Sequence, residues 1–405
     1  MFVIQFCTIT LFSQVVKEDS SAIFSLIAKA EKLFTIHLDS ALHYSQQAEE
    51  LAKEKNFKKG LLYALNESTD ILIEKDELAK SELKAQACNK LALQLKDSLT
   101  TAISWLQMAQ EKMYNNDFDG AIPLFIQSLQ YYLANHPTKY SALAFNDLGY
   151  TLGRKGELGK QANCLVQSNS IYETYFPQMY EELGVAYNNL STVYNSLKDK
   201  QKAIEYAKKS MYYREKSGDV SRLAISCCNL SQYYIGVDSE EADKYMTLCL
   251  KYAMQSGQES RIIHSYITAS TVYDMNGKFE EALNYELKAI ASLEKKQPDV
   301  SMLSRRYIAA AILSKKLKKD SSVVLGYLKK SQELLSCMND KNNLRGLHLQ
   351  LSNYYRDNKN YAAAYEHYKK YIAYRDSIVT EKTEASIAEI TTQYETEKKT
   401  KRSFG

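Results

Sequence analysis

A unit of about forty residues recurs along the 405-residue chain. In most copies a large residue precedes a small one, a tyrosine follows three positions later, and an alanine follows about nine positions after that. The tyrosines are Tyr194, Tyr234, Tyr273 and Tyr355, and the alanines are Ala203, Ala242, Ala282 and Ala364. Small residues at fixed spacing let two antiparallel helices approach closely, with a short polar break between them as the turn. Each copy therefore predicts a helical hairpin.

The composition supports a chain built from helices alone. The sequence has 14 glycines and 4 prolines, about a third of average usage, whereas sheets and loop-rich folds need both residues at turns. The 52 basic and 48 acidic residues leave a net charge of +4, which argues against direct binding of nucleic acid through its phosphates. No run of about 18 apolar residues is present that could span a bilayer.

The repeated pattern resembles the tetratricopeptide repeat, whose signature is W-x2-L-G-x2-Y followed by A-x3-F. The best-fitting unit contains Trp105, Met108, Ala109, Ala121 and Phe125. The resemblance covers roughly residues 22–378, with units beginning near residues 22, 62, 102, 142, 184, 224, 263, 304 and 345. It implies an all-α, right-handed superhelical solenoid of about nine extended hairpins, each about 40 residues long instead of 34. The units near 62 and 304 match the signature poorly.

The resemblance also implies that the first helix of each hairpin lines a concave groove. With the small residue of each unit as position 8, positions 6 and 9 face that groove. Position 6 reads Gln107, Asp147, Asn189, Asn229, Thr268 and Gln350, and position 9 reads Gln110, Tyr150, Thr192, Gln232, Thr271 and Asn353. Each carboxamide has a donor and an acceptor, which match the backbone of an extended peptide.

We therefore predict a groove that binds a protein or peptide segment. The predicted binding residues are Asn189, Asn229, Asn188, Gln107, Asp147, Tyr150, Arg154, Thr192 and Gln232. In this set Tyr150 would add an aromatic surface and Arg154 a charged anchor. The alternative is that the amides only cap helices or hydrogen-bond between adjacent helices. A carboxylate clamp is disfavoured, because Arg154 has no matching set of lysines.

Catalysis, metal binding and a cofactor are not expected. No nucleophile, base and orienting group recur at a meaningful spacing, and the six histidines form no metal-binding pair. The seven cysteines lack a C-x-x-C pair, so we expect them to be free and buried like small hydrophobic residues. Gly153, Gly156 and Gly159 predict a turn between helices, because no strand precedes them as in a phosphate-binding loop. The basic residues between 305 and 319 predict a solvated face.

The two ends of the chain differ from the repeats. Residues 1–16 are apolar, which predicts either a signal-like segment or a helix packed on the first repeat. Residues 17–378 form the predicted repeat region, and residues 379–405 a charged helix or linker. That last segment is similar to the linker that closes the repeat region in tetratricopeptide sensor histidine kinases and helix-turn-helix regulators of Bacteroidetes-type bacteria.

These features predict a non-catalytic binding module that senses or scaffolds in bacterial signal transduction. The expected location is periplasmic or membrane-tethered, with membrane contact only through a downstream segment. One alternative is a free-standing assembly scaffold that forms a homo-oligomer through the C-terminal helix. The other is a cytoplasmic regulator that responds to a peptide.

Overall fold

The computed structural model describes residues 18–34, 36–135, 137–295, 299–336, 338 and 340–403, and these residues form eighteen α-helices and no strand. The first helices of the hairpins are α1 (Glu18–Leu33), α3 (Lys58–Glu74), α5 (Ser98–Tyr114), α7 (Lys139–Arg154), α9 (Tyr180–Ser196), α11 (Val220–Tyr234), α13 (Glu259–Met275), α15 (Val300–Lys316) and α17 (Lys341–Asp357). The second helices are α2 (Leu38–Glu54), α4 (Leu78–Leu95), α6 (Phe118–Ala134), α8 (Leu158–Tyr175), α10 (Lys200–Ser217), α12 (Ser239–Gln255), α14 (Phe279–Glu294), α16 (Ser321–Leu335) and α18 (Tyr361–Ser403).

The prediction of an all-α chain of about nine helical hairpins is confirmed for the described residues. Every predicted unit start falls inside a first helix, including the poorly matching units near 62 and 304. Most helices have 15–18 residues, which accounts for a repeat of about 40 residues. Helix α18 is longer, with 43 residues, and passes through the predicted boundary at residue 378 without a break. The apolar segment 1–16 lies outside the described residues.

A recurring hydrogen bond fixes the register of the two helices in several hairpins. The hydroxyl groups of Ser128, Ser168 and Ser210 each donate to a first-helix carbonyl oxygen 26 residues earlier, and each Oγ–O distance is 2.7 Å. All three serines are fully buried. A small side chain at this point lets the helices approach, and the bond satisfies the hydroxyl group that the approach buries.

The turns inside the hairpins use a left-handed residue, and this residue is often not glycine. The left-handed residues between first and second helices are Asp76, Asn116, Gly156, Lys198, Gly236, Gly277, Lys318 and Lys359. Gly156 has a φ of 82°, so the predicted turn around Gly153, Gly156 and Gly159 is confirmed. A lysine, asparagine or aspartate in this conformation explains how a chain with few glycines makes so many tight turns.

The chain divides into two compact units, Met1–Ser217 and Gly218–Gly405. Within the described residues, unit 1 contains α1–α10 and unit 2 contains α11–α18. The core of unit 1 includes a cluster around Leu106, Phe125 and Leu148 that joins successive hairpins. In unit 2, Leu283 and Tyr307 belong to an equivalent cluster. Each hairpin thus buries its apolar face against its neighbours.

One pair of cysteines corrects the sequence prediction that all are free. Cys228 of α11 and Cys249 of α12 form a disulfide, with 5.2 Å between their Cα atoms. The spacing of 21 residues gave no signal, because the antiparallel helices of a hairpin bring distant residues together. Cys88 is free and buried, as predicted, Cys227 is buried, and the free Cys164 is half-buried. Cys7 and Cys337 lie outside the described residues.

Candidate binding site

Hydrogen bonds between polar side chains connect the first helices of successive hairpins in unit 1. We call the whole set of such bonds the carboxamide seam. In unit 1 it consists of Gln107 Nε2 to Asp70 Oδ1 (2.8 Å), Gln110 Nε2 to Asp147 Oδ2 (2.8 Å) and Asn189 Nδ2 to Asn146 Oδ1 (3.0 Å). The partners are 37–43 residues apart. Part of the hydrogen-bonding capacity of the predicted groove residues is therefore used within the protein.

Unit 2 has its own part of the carboxamide seam. Gln232 Nε2 of α11 lies 3.5 Å from Thr268 Oγ1 of α13, which is a long and therefore weak hydrogen bond. Asn343 Nδ2 of α17 donates to Ser301 Oγ of α15 over 2.8 Å. The two units thus share one way of joining their first helices.

The predicted binding residues differ in how accessible they are. Gln107 and Asp147 are buried, whereas the other predicted carboxamides, at positions 188, 189, 229 and 232, are half-buried. Tyr150, Arg154 and Thr192 are exposed. Buried members of the carboxamide seam can position their neighbours, and the half-buried and exposed residues can contact a ligand directly.

Tyr150 and Arg154 lie together at the C-terminal end of α7, as their spacing of one helical turn requires. A guanidinium nitrogen of Arg154 donates to the Tyr150 hydroxyl oxygen over 2.9 Å. The same guanidinium lies 5.3 Å from the ring centroid of Phe118. The pair forms an exposed surface that combines aromatic rings with one positive charge.

Several carboxyl side chains lie on the first helices near the N-terminal end of unit 1. We call Glu31 of α1, Glu67 and Asp70 of α3, and Lys139 and Tyr140 of α7 the first-helix recess. Burial raises the pKa of Glu67 to about 8, and the charges of Asp70 and Glu31 raise it further. Burial also raises the pKa of Asp70 to about 6, although its hydrogen bond from Gln107 acts in the opposite direction.

Lys139 is the cation of the recess, and it lies two hairpins after Glu67 and Asp70 and three hairpins after Glu31. Its charge opposes the raised pKa of Glu31, Glu67 and Asp70. Burial raises the pKa of Tyr140, and the same three carboxyl groups raise it further. The charge of Lys139, at the N-terminus of α7, therefore reaches carboxyl groups of α1 and α3 within unit 1.

Glu67 is the member of the recess with unused capacity. Its side chain is half-buried, no hydrogen bond contributes to its pKa, and no described residue forms an ion pair with it. A desolvated carboxyl group with a perturbed pKa in a recess is a typical feature of a binding site. The sequence prediction missed Glu67 and Asp70 because the unit near 62 matches the signature poorly. Counting 40 residues back from Gln107 and Gln110 would have placed them at positions 6 and 9.

The described residues give no sign of a metal centre, since they contain no group of three or more histidine, cysteine, aspartate or glutamate side chains that could hold an ion. In the same part of the chain, no helix is long and apolar enough to cross a membrane. The arrangement offers hydrogen bonds, carboxyl groups and an aromatic surface.

Known proteins resemble the chain in its repeat and in its fold. Residues 183–217 match the family model of the tetratricopeptide repeat. The crystal structure of the apo form of RapI has a TM-score of 0.68 and 13% identity, and the match covers 88% of this chain and 98% of that one. The apo form of the quorum sensor NprR from B. thuringiensis has a TM-score of 0.60 and 12% identity, with 88% and 99% covered.

A Rap protein complexed with competence and sporulation factor is also similar, with a TM-score of 0.52, 14% identity and coverage of 89% and 99%. At these identities the similarity is one of fold. No curated protein matches the sequence significantly.

Proposed function

Because the chain is a tetratricopeptide-repeat protein, we propose that it is a non-catalytic regulator that binds an extended peptide or protein segment along its first helices. The observation that supports this most directly is the first-helix recess, where the half-buried carboxyl group of Glu67 has no partner among the described residues. A carboxyl group that has lost part of its hydration without gaining a partner can accept hydrogen bonds from a ligand.

In unit 1, the proposed contacts with the ligand use hydrogen-bond donors and acceptors that the carboxamide seam does not engage. Asn189 retains its carbonyl oxygen and one N–H after its bond to Asn146. Asn188 and Thr192 lie on the same helix, and Tyr150 and Arg154 would take a side chain of the ligand. Gln107 and Asp147 are assigned a positioning role. In unit 2, Asn229 and Gln232 would make the corresponding contacts.

The similar structures favour the regulator over the sensory part of a membrane-bound signalling protein. Three structures whose matches cover 88–89% of this chain are a quorum sensor and two Rap proteins, one of them bound to competence and sporulation factor. Those matches also cover 98–99% of the three similar proteins, so the similarity of fold is not confined to one part of them.

The proposed location is cytoplasmic, the alternative that the sequence left open. In that compartment Cys228 and Cys249 would be mostly reduced, whereas an oxidising compartment would keep their disulfide. A reporter that works only in the cytoplasm, fused to the native N-terminal segment, should be active. Activity of a periplasm-specific reporter instead would support the periplasmic location predicted from the sequence.

The binding proposal is tested with the full chain. An array of random ten-residue peptides identifies the best binder, and isothermal calorimetry then measures its affinity. Replacing both Asn189 and Asn229 by alanine should weaken binding by roughly 2–4 kcal/mol if each amide makes about two good hydrogen bonds.

Two control variants separate direct contacts from indirect ones. Asn146→Ala breaks the same bond of the carboxamide seam as Asn189→Ala but should leave most of the affinity. Asn163→Ala alters an exposed amide on second helix α8 and should have no effect. Unchanged affinity in the Asn189 and Asn229 double variant, with circular dichroism showing an intact fold, contradicts the proposal.

The assembly scaffold remains a second candidate because of one surface. Tyr361, Tyr365 and Tyr368 are exposed on α18, about one helical turn apart, and α18 extends to Ser403. Exposed aromatic residues on one helix face are typical of an interaction surface. Light scattering should show an oligomer for the full chain and a monomer for a variant with Tyr361, Tyr365 and Tyr368 replaced by serine if this surface mediates assembly.

A further inference from the structure

A cleft of about 260 Å³ lies between α4 and α5 of unit 1. Its walls are formed by Glu82, Gln86, Met108, Glu111, Lys112, Asn115 and Asp117. None of these residues belongs to the first-helix recess or to the predicted binding set. The cleft is large enough to hold several water molecules or a small organic group.

Glu111 is the unusual residue of this cleft. Its side chain is only 2% exposed, and its Oε1 atom has no hydrogen-bond partner. A hydrogen bond with Ser81 lowers its pKa, but burial dominates and raises the pKa to about 7, with a further contribution from Glu82. A buried carboxylate oxygen without a partner is rare in folded proteins, because it has lost its hydration without compensation.

The charges around Glu111 leave the cleft negative. Lys112 is the only basic residue in the lining, and its Nζ atom lies 2.8 Å from Asp117 Oδ2. Glu82 and Glu111 then have no cation among the lining residues. Gln86 Nε2 lies 3.3 Å from Glu82 Oε1, which is at the long end for a hydrogen bond.

The lining residues favour an organic cation over a metal ion. The described residues contain no metal-binding group of three ligands, so a metal ion would be held by too few protein oxygens. A guanidinium group instead donates two parallel N–H bonds to one carboxylate. Met108 provides an apolar wall for an attached aliphatic chain.

We propose that the cleft between α4 and α5 binds an alkyl guanidinium group, with the Glu111 carboxylate as its main partner and Glu82 as a second. The group is either the arginine side chain of a partner protein or a free small molecule of the same chemistry. The proposal does not depend on peptide binding along the first helices.

The test measures binding of two probes to the full chain by calorimetry at pH 8. Agmatine represents a free small molecule, and N-acetyl-arginine methylamide represents an arginine side chain within a polypeptide. We expect a Kd on the order of 1 mM for the better probe. Tighter binding of agmatine favours the free molecule, and tighter binding of the blocked arginine favours the partner side chain.

The pH dependence identifies the carboxylate. Glu111 must be ionised to pair with the guanidinium, so the affinity should fall about tenfold between pH 8 and pH 6. Glu111→Gln keeps the shape of the side chain but should weaken binding at pH 8 at least tenfold and remove this pH dependence. Glu50→Gln removes an equal charge from an exposed position on α2 and should change neither.

A second variant keeps the test valid if Glu111→Gln does not fold. Gln86→Arg introduces a guanidinium group from α4 into the same cleft and should abolish binding of both probes while Glu111 stays in place. The proposal is overturned if neither probe binds the wild type saturably up to about 10 mM. It is also overturned if Glu50→Gln weakens binding as much as Glu111→Gln, or if Gln86→Arg leaves binding unchanged.

Discussion

Units 1 and 2 are built from the same kind of hairpin, but they differ in the surroundings of their buried carboxyl groups. In unit 1, the carboxyl groups with raised pKa values are Glu31, Glu67, Asp70, Glu111 and Asp147. Among the described residues of unit 2, Glu286 is the carboxyl group with a raised pKa, and Arg306 lies 3.4 Å from it. Neither carboxylate oxygen of Glu286 has a hydrogen-bond partner, so the units differ in whether a cation lies beside the buried carboxyl group.

Unit 2 has further internal links that unit 1 lacks in the described residues. The disulfide joins α11 to α12. In the last hairpin, the Nδ1 atoms of His348 and His367 lie 2.9 Å apart, and Tyr374 and Tyr355 stack against the two rings. Unit 1 has aromatic stacks of its own, such as Tyr187 on Tyr213, but its described residues contain neither a disulfide nor a histidine pair.

The disulfide gives the largest expected difference between the units. Replacing Cys228 and Cys249 by serine should lower the free energy of unfolding of unit 2 by about 3 kcal/mol, as expected for a loop of this length, and leave unit 1 unchanged. Hydrogen exchange measured by mass spectrometry on oxidised full-length protein resolves the two units. Dithiothreitol should destabilise the wild type and have no effect on the double variant. Equal exchange in the oxidised and reduced wild type would contradict this prediction.

Acid should act on the two units in opposite directions. Burial, His367 and Lys370 lower the pKa of His348 to about 4, so the unfolded chain takes up the proton first and stability is lost as the pH falls from about 6.5 towards 4. Glu67 has a raised pKa, so its contribution to stability is present at low pH and is lost as the pH rises through about 8. Between pH 8 and pH 5, we expect unit 2 to lose at most about 2 kcal/mol, because the raised pKa of Glu286 acts against His348 there. Unit 1 should gain at least about as much, because Asp70, Glu111 and Asp147 act in the same direction as Glu67.

The controls for this comparison remove one titrating group at a time. His348→Phe should abolish most of the acid sensitivity of α17 and α18 while keeping a ring in the stack. Glu67→Gln should remove most of the pH dependence of α3 and leave the smaller contribution of Asp70. Exchange rates are corrected for the intrinsic effect of pH, and a parallel response of both units would show that the proposed groups are not responsible.

The carboxamide seam should give the smallest difference. Asn189→Ala removes a 3.0 Å hydrogen bond in unit 1 and should cost about 1 kcal/mol. Gln232→Ala in unit 2 removes a 3.5 Å bond and should cost less than about 0.5 kcal/mol. Thermal unfolding followed by circular dichroism is sufficient for both variants. A larger loss in Gln232→Ala would mean that the two parts of the seam are not ranked by bond length.

The sequence was sufficient for the fold because the pattern repeats. Tyr194 with Ala203, and Tyr355 with Ala364, set the register independently in separate hairpins, and weak units such as the one near 62 could be placed by counting. The large and small residues pack against each other within one hairpin, so the signal is local. This locality explains why all nine predicted units coincide with first helices in the described residues.

The candidate site was harder to predict, because it depends on residues from different hairpins. Asn189 was predicted as a groove residue, but it also donates to Asn146, which lies 43 residues earlier on another helix. Glu67 was missed because its unit matches the signature poorly and because its raised pKa depends first on burial and then on Asp70 and Glu31. A position within the repeat indicates which way a side chain points, whereas its neighbours across helices determine how much of its chemistry remains free for a ligand.

The bond from Ser128, Ser168 or Ser210 to a carbonyl oxygen 26 residues earlier has a consequence for how such a protein can change over time. Each bond lies within one hairpin. A duplicated or deleted hairpin therefore brings or removes the hydrogen bond that fixes the register of its own two helices. Lengthening the chain by a whole unit would need no compensating change elsewhere, and gene duplication could alter the number of units while preserving how each one folds.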